Sequence, residues 1–464
     1  MKADAQASPA GRPFRTSAPN IIVVLCDDLG YGDLGCYGNE VIATPHLDAL
    51  AGSGLRCTDF YASAAWCMPS RKGLMTGMHP CRGGMNNPEL LRARTMLPEM
   101  LGRRGYASAL IGKWHLGMAP GLHPLDQGFD YFYGTQGSND PITVHGQRQN
   151  YETFRTARAE SDWPVALLRN REQIEHPARQ SLFTRRYTEE AVRFITESHS
   201  GGKPFFLYLA HNMPHVPLFT APPFAGKSRG GLYGDVVEEL DWSMGEVVRC
   251  LEGQGLRDDT LILFTSDNGP WCMFREFGGS AGPLRGEKGT GWEGGPRVPA
   301  IFSWPGRIAP GVSDAFMVNV DLYATFAAIT GAEPPSGYPL DSLDLSDTLF
   351  AGAASPRSSY LFFSSGHYRE PFSYRSGDYK IHVRTNDVLR DPITGADAPV
   401  TEHDPPLLYN LRQEVGERRE LSAAHPDLVQ RLKAEFDAAA GELDYEATIP
   451  YRKPEVAAVA TDAG

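Results

Sequence analysis

The amino-acid sequence predicts an α/β protein with a large, mostly parallel sheet sandwiched by helices and a smaller antiparallel sheet after it. Short, almost wholly apolar segments alternate with amphipathic helical patterns over most of the chain, as in parallel sheets covered on both faces. After about residue 351 the apolar runs become short and hairpin-like. We therefore expect a flexible arm at 1–18, a main domain at 19–350, a C-terminal subdomain at 351–450 and a tail at 451–464.

Five segments predict strands of the main sheet. In each of them, β-branched, aromatic and other apolar residues follow one another between turn residues. They are 20–26 (NIIVVLC), 106–112 (YASALIG), 205–210 (FFLYLA), 261–265 (LILFT) and 300–304 (AIFSW).

Helices are predicted where apolar residues recur three and four positions apart, over 184–198, 235–251 and 426–440. The segments 359–364 and 374–383 predict the small antiparallel sheet, because the second contains a Ser-Gly-Asp turn between two apolar runs. The C-terminal subdomain should therefore combine a small sheet with one helix.

Composition excludes several classes of partner. The chain of 464 residues has 44 Lys and Arg against 56 Asp and Glu, a net charge of −12, whereas nucleic-acid binding requires a basic face. No apolar run approaches the ~20 residues of a membrane-spanning helix, and the N-terminal residues lack the apolar core of a secretory signal. We expect no nucleic-acid or membrane partner and a cytoplasmic location, or a periplasmic or secreted one if a signal peptide was removed.

Oxygen-bearing side chains follow two of the predicted strands. Asp27 and Asp28 come directly after 20–26, and Asp267 and Asn268 come just after 261–265. Ligands of open α/β sheets bind outside the carboxyl ends of the strands, and converging carboxylates repel one another unless a cation lies between them. Oxygen ligands favour Ca²⁺ or Mg²⁺ over zinc. For either pair alone, capping of the following turn or helix is an equally good explanation.

A cysteine precedes a predicted helix in the segment 67–77 (CMPSRKGLMTG). Pro69 suits the first turn of a helix, so Cys67 should lie just before an N-terminus that attracts anions and lowers a thiol pKa. Arg71 adds a forked donor that suits a tetrahedral oxyanion. The segment predicts a nucleophile beside an anion-binding site, although an inert buried cysteine is the more common role of any single cysteine.

The eleven residues of 67–77 resemble the signature C-x-P-S-R-x-x-x-L-T-G of the type I sulfatases, formylglycine-dependent enzymes of the alkaline phosphatase superfamily. Met75 stands where the family has leucine, an exchange that conserves volume. The resemblance implies that a formylglycine-generating enzyme oxidises Cys67 to formylglycine, whose hydrated aldehyde is the nucleophile. It covers most of the chain and is greatest to the arylsulfatase A and N-acetylgalactosamine-6-sulfatase group.

Other segments extend the resemblance to the remaining site residues. The segment 112–117 (GKWHLG) resembles the second family signature and implies that Lys113 and His115 bind sulfate. His215 matches the histidine that protonates the leaving group, and Lys288 matches a second sulfate-binding lysine. Ser138 and His403 resemble residues of the substrate pocket, on loops that vary within the family.

The resemblance implies a reaction for the main domain: hydrolysis of aryl or related sulfate monoesters to an alcohol or phenol and inorganic sulfate. Asp267 would assist deprotonation of the nucleophile, His215 would be the general acid, and His115 would help to expel sulfate. Calcium is the expected ion, with Mg²⁺ less favoured, on the ligands Asp27, Asp28, Cys67, Asp267 and Asn268.

Two other functions stay open on the sequence alone. One is a phosphonate or phosphoester hydrolase on the same fold, and the other is a catalytically silent binding protein. Tryptophans that flank the signature segments can line an apolar or sugar-stacking mouth, although each is more often a core residue; they are Trp66, Trp114, Trp271 and Trp292. The sequence does not separate aryl, sugar and alkyl sulfates, and it leaves a homo-oligomer open.

Overall fold

A ten-stranded sheet is the largest element among the residues that the computed structural model describes, which are 18–82, 88–140, 143–144, 147–148, 150–364 and 370–443. The predicted tail at 451–464 and nearly all of the predicted arm lie outside these residues. The strand order is β13-β2-β12-β11-β1-β10-β4-β5-β8-β9. The ten strands are β1 (Asn20–Cys26), β2 (Leu55–Cys57), β4 (Ala107–Lys113), β5 (Tyr131–Thr135), β8 (Leu167–Arg169), β9 (Glu172–Glu175), β10 (Phe205–Ala210), β11 (Thr260–Ser266), β12 (Ala300–Ser303) and β13 (Gly311–Ser313).

The centre of this sheet is parallel and its flanks are mixed. Strands β11, β1, β10, β4 and β5 run parallel to one another, whereas β12 is antiparallel to β11 and β8 is antiparallel to β5. All five predicted strands are present, and β1, β10 and β11 are buried along their whole length. The predicted fold class is therefore confirmed. Two short pairs lie outside this sheet: β3 (Phe60–Tyr61) with β14 (Met317–Val318), and β6 (Thr143–Val144) with β7 (Gln147–Arg148).

Helices cover both faces of the main sheet. Alternate residues of β1 enter different cores: Ile22 and Val24 pack with α6 and α7 residues, and Ile21 and Val23 pack with α2, α4 and α8 residues. In the part of the chain that is described, no helix is long and apolar enough to cross a membrane. The helices are α1 (Pro45–Gly52), α2 (Cys67–Thr76), α3 (Pro88–Arg92), α4 (Leu97–Gly102), α5 (Tyr151–Thr156), α6 (Phe183–Ser200), α7 (Gly231–Gly253), α8 (Leu322–Thr330), α9 (Ser346–Ala351) and α10 (Pro426–Leu443).

A separate four-stranded antiparallel sheet follows, in the order β15-β16-β17-β18. Strands β16 and β17 are joined by the predicted turn, in which Gly377 has a φ of +57°. Helix α10 packs its apolar side on this sheet, where Leu432 and Phe436 share a core with Ile381. The strands are β15 (Ser359–Phe363), β16 (Pro371–Ser376), β17 (Tyr379–Thr385) and β18 (Thr401–Asn410).

A buried histidine joins the loop after α2 to the C-terminal sheet. The Nε2 of His79 lies 2.9 Å from the carbonyl oxygen of Leu361, and its ring stacks on Tyr360 at 4.9 Å between centroids. The Nδ1 accepts a hydrogen bond of 3.2 Å from the Cys81 amide, so the ring is neutral when all these contacts are made. Burial lowers the pKa of His79 from 6.5 to about 4.

We expect acid to weaken this contact. Between pH 6.5 and 4 the unfolded chain binds a proton at residue 79 that the folded chain does not bind, so stability falls as the pH falls. Between pH 7 and 4.5 the wild type should lose about 2 kcal/mol more unfolding free energy than the variant His79→Gln. Urea unfolding across this range measures the difference. Parallel pH curves for the two proteins would contradict the expectation.

Candidate active site

Adjacent parallel strands bring the two predicted pairs of oxygen ligands together. Cys26 at the end of β1 is in register with Ser266 at the end of β11, so the residues that follow lie side by side. The backbone N–H of Asp28 donates to Asp267 Oδ1 at 3.2 Å, and Asn268 Nδ2 donates to Asp28 Oδ1 at 2.7 Å. The expected convergence at one sheet edge is present.

Cys67 lies at the same edge, as the first residue of α2. Its Sγ and one oxygen each of Asp27 and Asp267 all lie within 4.8 Å of one another. The predicted lowering of the thiol pKa is wrong: burial raises the pKa of Cys67 to about 11, and the nearby Lys113 and Lys288 offset only part of this effect. The helix N-terminus does not compensate for the loss of water around the thiol.

Lys113 is the last residue of β4 and reaches the first carboxylate. Its Nζ lies 2.5 Å from Asp27 Oδ2 and donates to Ser138 Oγ at 2.9 Å. The side chains of Lys113 and Asp27 are both fully buried. Ser138 is thus brought to the site through this lysine.

Lys288 pairs with the second carboxylate, that of Asp28. Its Nζ lies 2.6 Å and 2.7 Å from the two carboxylate oxygens of Asp28. The same ammonium group lies over the rings of Trp66 and Trp271, at 4.5 Å and 4.2 Å from their centroids. Two indoles and one carboxylate therefore hold this lysine, a cation–π arrangement that strengthens when water is excluded.

Arg71, one turn into α2, binds protein groups with most of its guanidinium. Nε donates to Asp267 Oδ2 at 2.9 Å, Nη2 lies 2.7 Å from the same oxygen, and Nη1 donates to the carbonyl oxygen of Lys113 at 2.9 Å. The sequence predicts that this fork faces an oxyanion. In the structure it fixes Asp267 against the end of β4, and its contact with an oxyanion stays a prediction.

Two histidines complete the cluster. His215 Nδ1 donates to the carbonyl oxygen of Val216 at 2.5 Å, and its Nε2 lies 3.6 Å from Asp28 Oδ2. His115 follows β4 with a φ of +67°, and its buried Nδ1 has no hydrogen-bond partner among the described residues. Burial, together with the nearby lysines, lowers the pKa of both imidazoles well below 6.5, so both are neutral at neutral pH.

The donor set suits a hard divalent cation. Burial and neighbouring carboxylates raise the pKa of Asp28 to about 6 and that of Asp267 to about 7, whereas Lys113 holds the pKa of Asp27 well below its usual range despite burial. The Oδ1 atoms of Asp27 and Asn268 are buried and lack hydrogen-bond partners within the described chain. Unshared carboxylate and amide oxygens are the ligands that such ions prefer.

Not every predicted residue joins the cluster. His403 lies half-buried on β18, where its Nε2 is 2.9 Å from Thr385 Oγ1, and no hydrogen bond or ion pair within the described part of the chain links it directly to the carboxylates. Of the four tryptophans that flank the signature segments, Trp114, Trp271 and Trp292 are buried and Trp66 is half-buried. Sequence reasoning missed that Trp66 and Trp271 hold Lys288, since motif spacing says nothing about which rings lie beside an ammonium group.

Comparisons with known proteins agree with this geometry. The sulfatase family model matches residues 19–332, and the model of the C-terminal region of aryl-sulfatase matches residues 355–454. Human arylsulfatase A (Homo sapiens) is 40% identical, covering 91% of this chain and 89% of that protein; mouse (Mus musculus) N-acetylgalactosamine-6-sulfatase is 35% identical, covering 89% and 83%. The PsFucS1 sulfatase from Pseudoalteromonas sp. superposes with a TM-score of 0.82 at 30% identity, covering 93% and 92%.

An α/β sheet with a buried, charge-paired carboxylate cluster at its edge is thus the site of a hydrolase. The chain belongs to the sulfatase family and is a sulfuric ester hydrolase. The phosphonate monoester hydrolase of Agrobacterium radiobacter superposes with a TM-score of 0.60 at 18% identity, which is a likeness of fold alone. The phosphonate alternative is therefore not favoured.

The bidentate role of Arg71 can be tested by replacing it with lysine. A single ammonium group cannot contact both Asp267 and the Lys113 carbonyl, so we expect Arg71→Lys to lower kcat for an aryl sulfate about 100-fold. The matched control is Arg103→Lys, because Arg103 forms an exposed pair with Glu99. Equal kcat values for the two variants, with unchanged circular dichroism, would count against this role.

Proposed function

We propose that this sulfatase hydrolyses aryl or related sulfate monoesters with a formylglycine made from Cys67 and a bound divalent ion, Ca²⁺ rather than Mg²⁺. The observation that carries the proposal is the meeting of Cys67 with buried carboxylates and buried lysines at one sheet edge. The residues 19–350 would form the catalytic domain and 351–450 the C-terminal subdomain.

The ion would be held by Asp27, Asp28, Asp267, Asn268 and the modified residue 67. When bound, it supplies positive charge to the sulfate ester and favours the ionised carboxylates. The unshared Oδ1 atoms of Asp27 and Asn268 support this assignment.

The protonation state of Cys67 supports a modified nucleophile. A thiol whose pKa is about 11 is almost wholly protonated at neutral pH, and the thiolate is the reactive form. Oxidation by a formylglycine-generating enzyme would supply a hydroxyl nucleophile in its place when the aldehyde is hydrated. Asp267, held by Arg71, has an oxygen within 4.8 Å of Cys67 Sγ and would accept the hydroxyl proton.

The lysines would bind the sulfate group. Lys113 and Lys288 pair with different carboxylates of the cluster, and Ser138 holds the Lys113 ammonium in place and would bind the same sulfate oxygen atoms. Buried cations of this kind stabilise the charge of a transition state by about 3–4 kcal/mol for each well-placed donor. The indole of Trp66 would border the leaving group.

The histidines would move protons. His215 keeps Nδ1 on a backbone carbonyl, so its Nε2 faces the carboxylate side of the site and can carry the proton for the departing alcohol or phenol. The negative charge of a bound ester would favour protonation of this ring. His115, neutral in the free enzyme, can accept a proton during release of sulfate. His403 would contact the leaving group from the C-terminal sheet.

The modification can be detected by mass spectrometry of the peptide that contains residue 67. After co-expression with a formylglycine-generating enzyme, we expect a peptide lighter than the cysteine form, and activity in proportion to the modified fraction. Cys67→Ala should be inactive, whereas Cys250→Ala, at a half-buried position on α7, should keep full activity. Full activity with only unmodified cysteine at position 67 would refute the proposal.

Metal dependence is the second expectation. Removal of metal by a chelator should abolish hydrolysis of 4-nitrophenyl sulfate, and Ca²⁺ should restore it better than Mg²⁺. Asn268→Ala should raise the Ca²⁺ concentration for half-maximal activity at least about tenfold, because a ligand is lost. Asn150→Ala, which removes the cap of α5, is the control. Activity that persists in protein shown to be metal-free by elemental analysis would contradict the expectation.

A further inference from the structure

We propose that two side chains of the C-terminal sheet, Ser364 and Asn386, position Lys288, so that this sheet is a working part of the active site. The inference rests on the proposed sulfate-binding role of Lys288. Neither side chain needs to touch substrate, and both would act through the backbone next to the lysine.

The backbone around Lys288 is tied to both halves of the reacting centre. The Lys288 N–H donates to the carbonyl oxygen of Pro270 at 2.8 Å, two residues beyond Asn268. The Gly289 N–H donates to the carbonyl oxygen of Ala65 at 2.7 Å, two residues before Cys67. A shift of this segment would therefore change the distances from the lysine to the metal ligands and to the nucleophile together.

The carbonyl group of Gly289 receives two hydrogen bonds from the C-terminal sheet. Ser364 Oγ, just after β15, donates at 2.6 Å, and Asn386 Nδ2, just after β17, donates at 3.1 Å. Both side chains are buried, and a carbonyl oxygen has two lone pairs, so its capacity is filled. Gly289 has a φ of +83°, a conformation open to glycine with little cost, and these two bonds restrain it.

The rest of this loop is also attached to the C-terminal sheet. Lys380 Nζ on β17 donates to Glu293 Oε1 at 2.7 Å, and the Glu293 N–H donates to Glu417 Oε2 at 2.6 Å. Ser373 Oγ on β16 donates to the carbonyl oxygen of Gly291 at 3.2 Å. These contacts attach the loop as a whole, whereas the bonds from Ser364 and Asn386 act on Gly289, the residue next to Lys288.

The Lys288 ammonium is confined to one position by its neighbours. It must stay between two indole rings and within hydrogen-bond distance of Asp28, and a displacement of about 1 Å in a catalytic group can cost about 100-fold in rate. Loss of either bond to Gly289 should therefore weaken catalysis without unfolding the protein.

The chain provides a matched control for this test. Ser364 and Ser373 are both buried serines of the C-terminal sheet that donate to a glycine carbonyl of the same loop. We expect Ser364→Ala and Asn386→Ala each to lower kcat/KM for 4-nitrophenyl sulfate about tenfold. Ser373→Ala should change kcat/KM less than about twofold. Ser364→Thr, which keeps the hydroxyl group, should keep most of the wild-type kcat/KM.

The effect of Ser364→Ala in an enzyme that already lacks the Lys288 side chain separates positioning of Lys288 from general damage to the fold. If Ser364 acts through Lys288, then Ser364→Ala should cause no further loss of kcat/KM in a Lys288→Ala enzyme. If Ser364→Ala instead damages the fold in general, it should lower kcat/KM by the same factor in the wild-type enzyme and in the Lys288→Ala enzyme. Additive losses, or equal losses in Ser364→Ala and Ser373→Ala, would overturn the inference. If Lys288→Ala itself had wild-type kcat/KM, the proposed role of Lys288 would fail too. If Lys288→Ala is impaired and Ser364→Ala is not, the positioning inference is wrong while the proposed role of Lys288 stands.

Discussion

Three buried carboxylates lie side by side at the carboxyl edge of the central sheet, and the surrounding site neutralises them. Asp27, Asp28 and Asp267 come together because β1 and β11 are parallel neighbours in register. Isolated buried charges are costly, and in this cluster each carboxylate has a buried cation of its own, from Lys113, Lys288 and Arg71 respectively. The Oδ1 atoms of Asp27 and Asn268 remain without hydrogen-bond partners among the described residues, and the proposed divalent ion would bind there.

The cations come from distant parts of the chain, which makes the site sensitive to the whole fold. Lys113 ends β4, Arg71 lies in α2, and Lys288 lies between β11 and β12, in a loop that has a short 3₁₀ helix (Cys272–Phe277) but no strand or α-helix. A loop of this kind needs outside support, and the hydrogen bonds that Ser364 and Asn386 donate to Gly289 supply it next to Lys288. Polar contacts, as well as packing, thus join the small sheet to the loop that carries Lys288.

Burial has opposite consequences for different groups of the site. It raises the pKa of the Cys67 thiol and keeps the imidazoles of His115 and His215 neutral. An unmodified thiol in this setting is a weak nucleophile, and each imidazole has one ring nitrogen without a proton in the free enzyme. The arrangement is consistent with a nucleophile that is created by modification rather than by an activated thiolate.

The sequence by itself determined the fold class, the strands that carry the ligands and the family, because apolar runs and an eleven-residue signature are local patterns. It also predicted that Asp27 and Asp28 would meet Asp267 and Asn268, since parallel strands share one carboxyl edge. Only the tertiary structure decided that the fork of Arg71 binds Asp267, that two indoles hold Lys288, and that Ser364 and Asn386 reach Gly289. These contacts join residues far apart in the chain, and their distances, like the burial that raises the Cys67 pKa, depend on packing that no local pattern encodes.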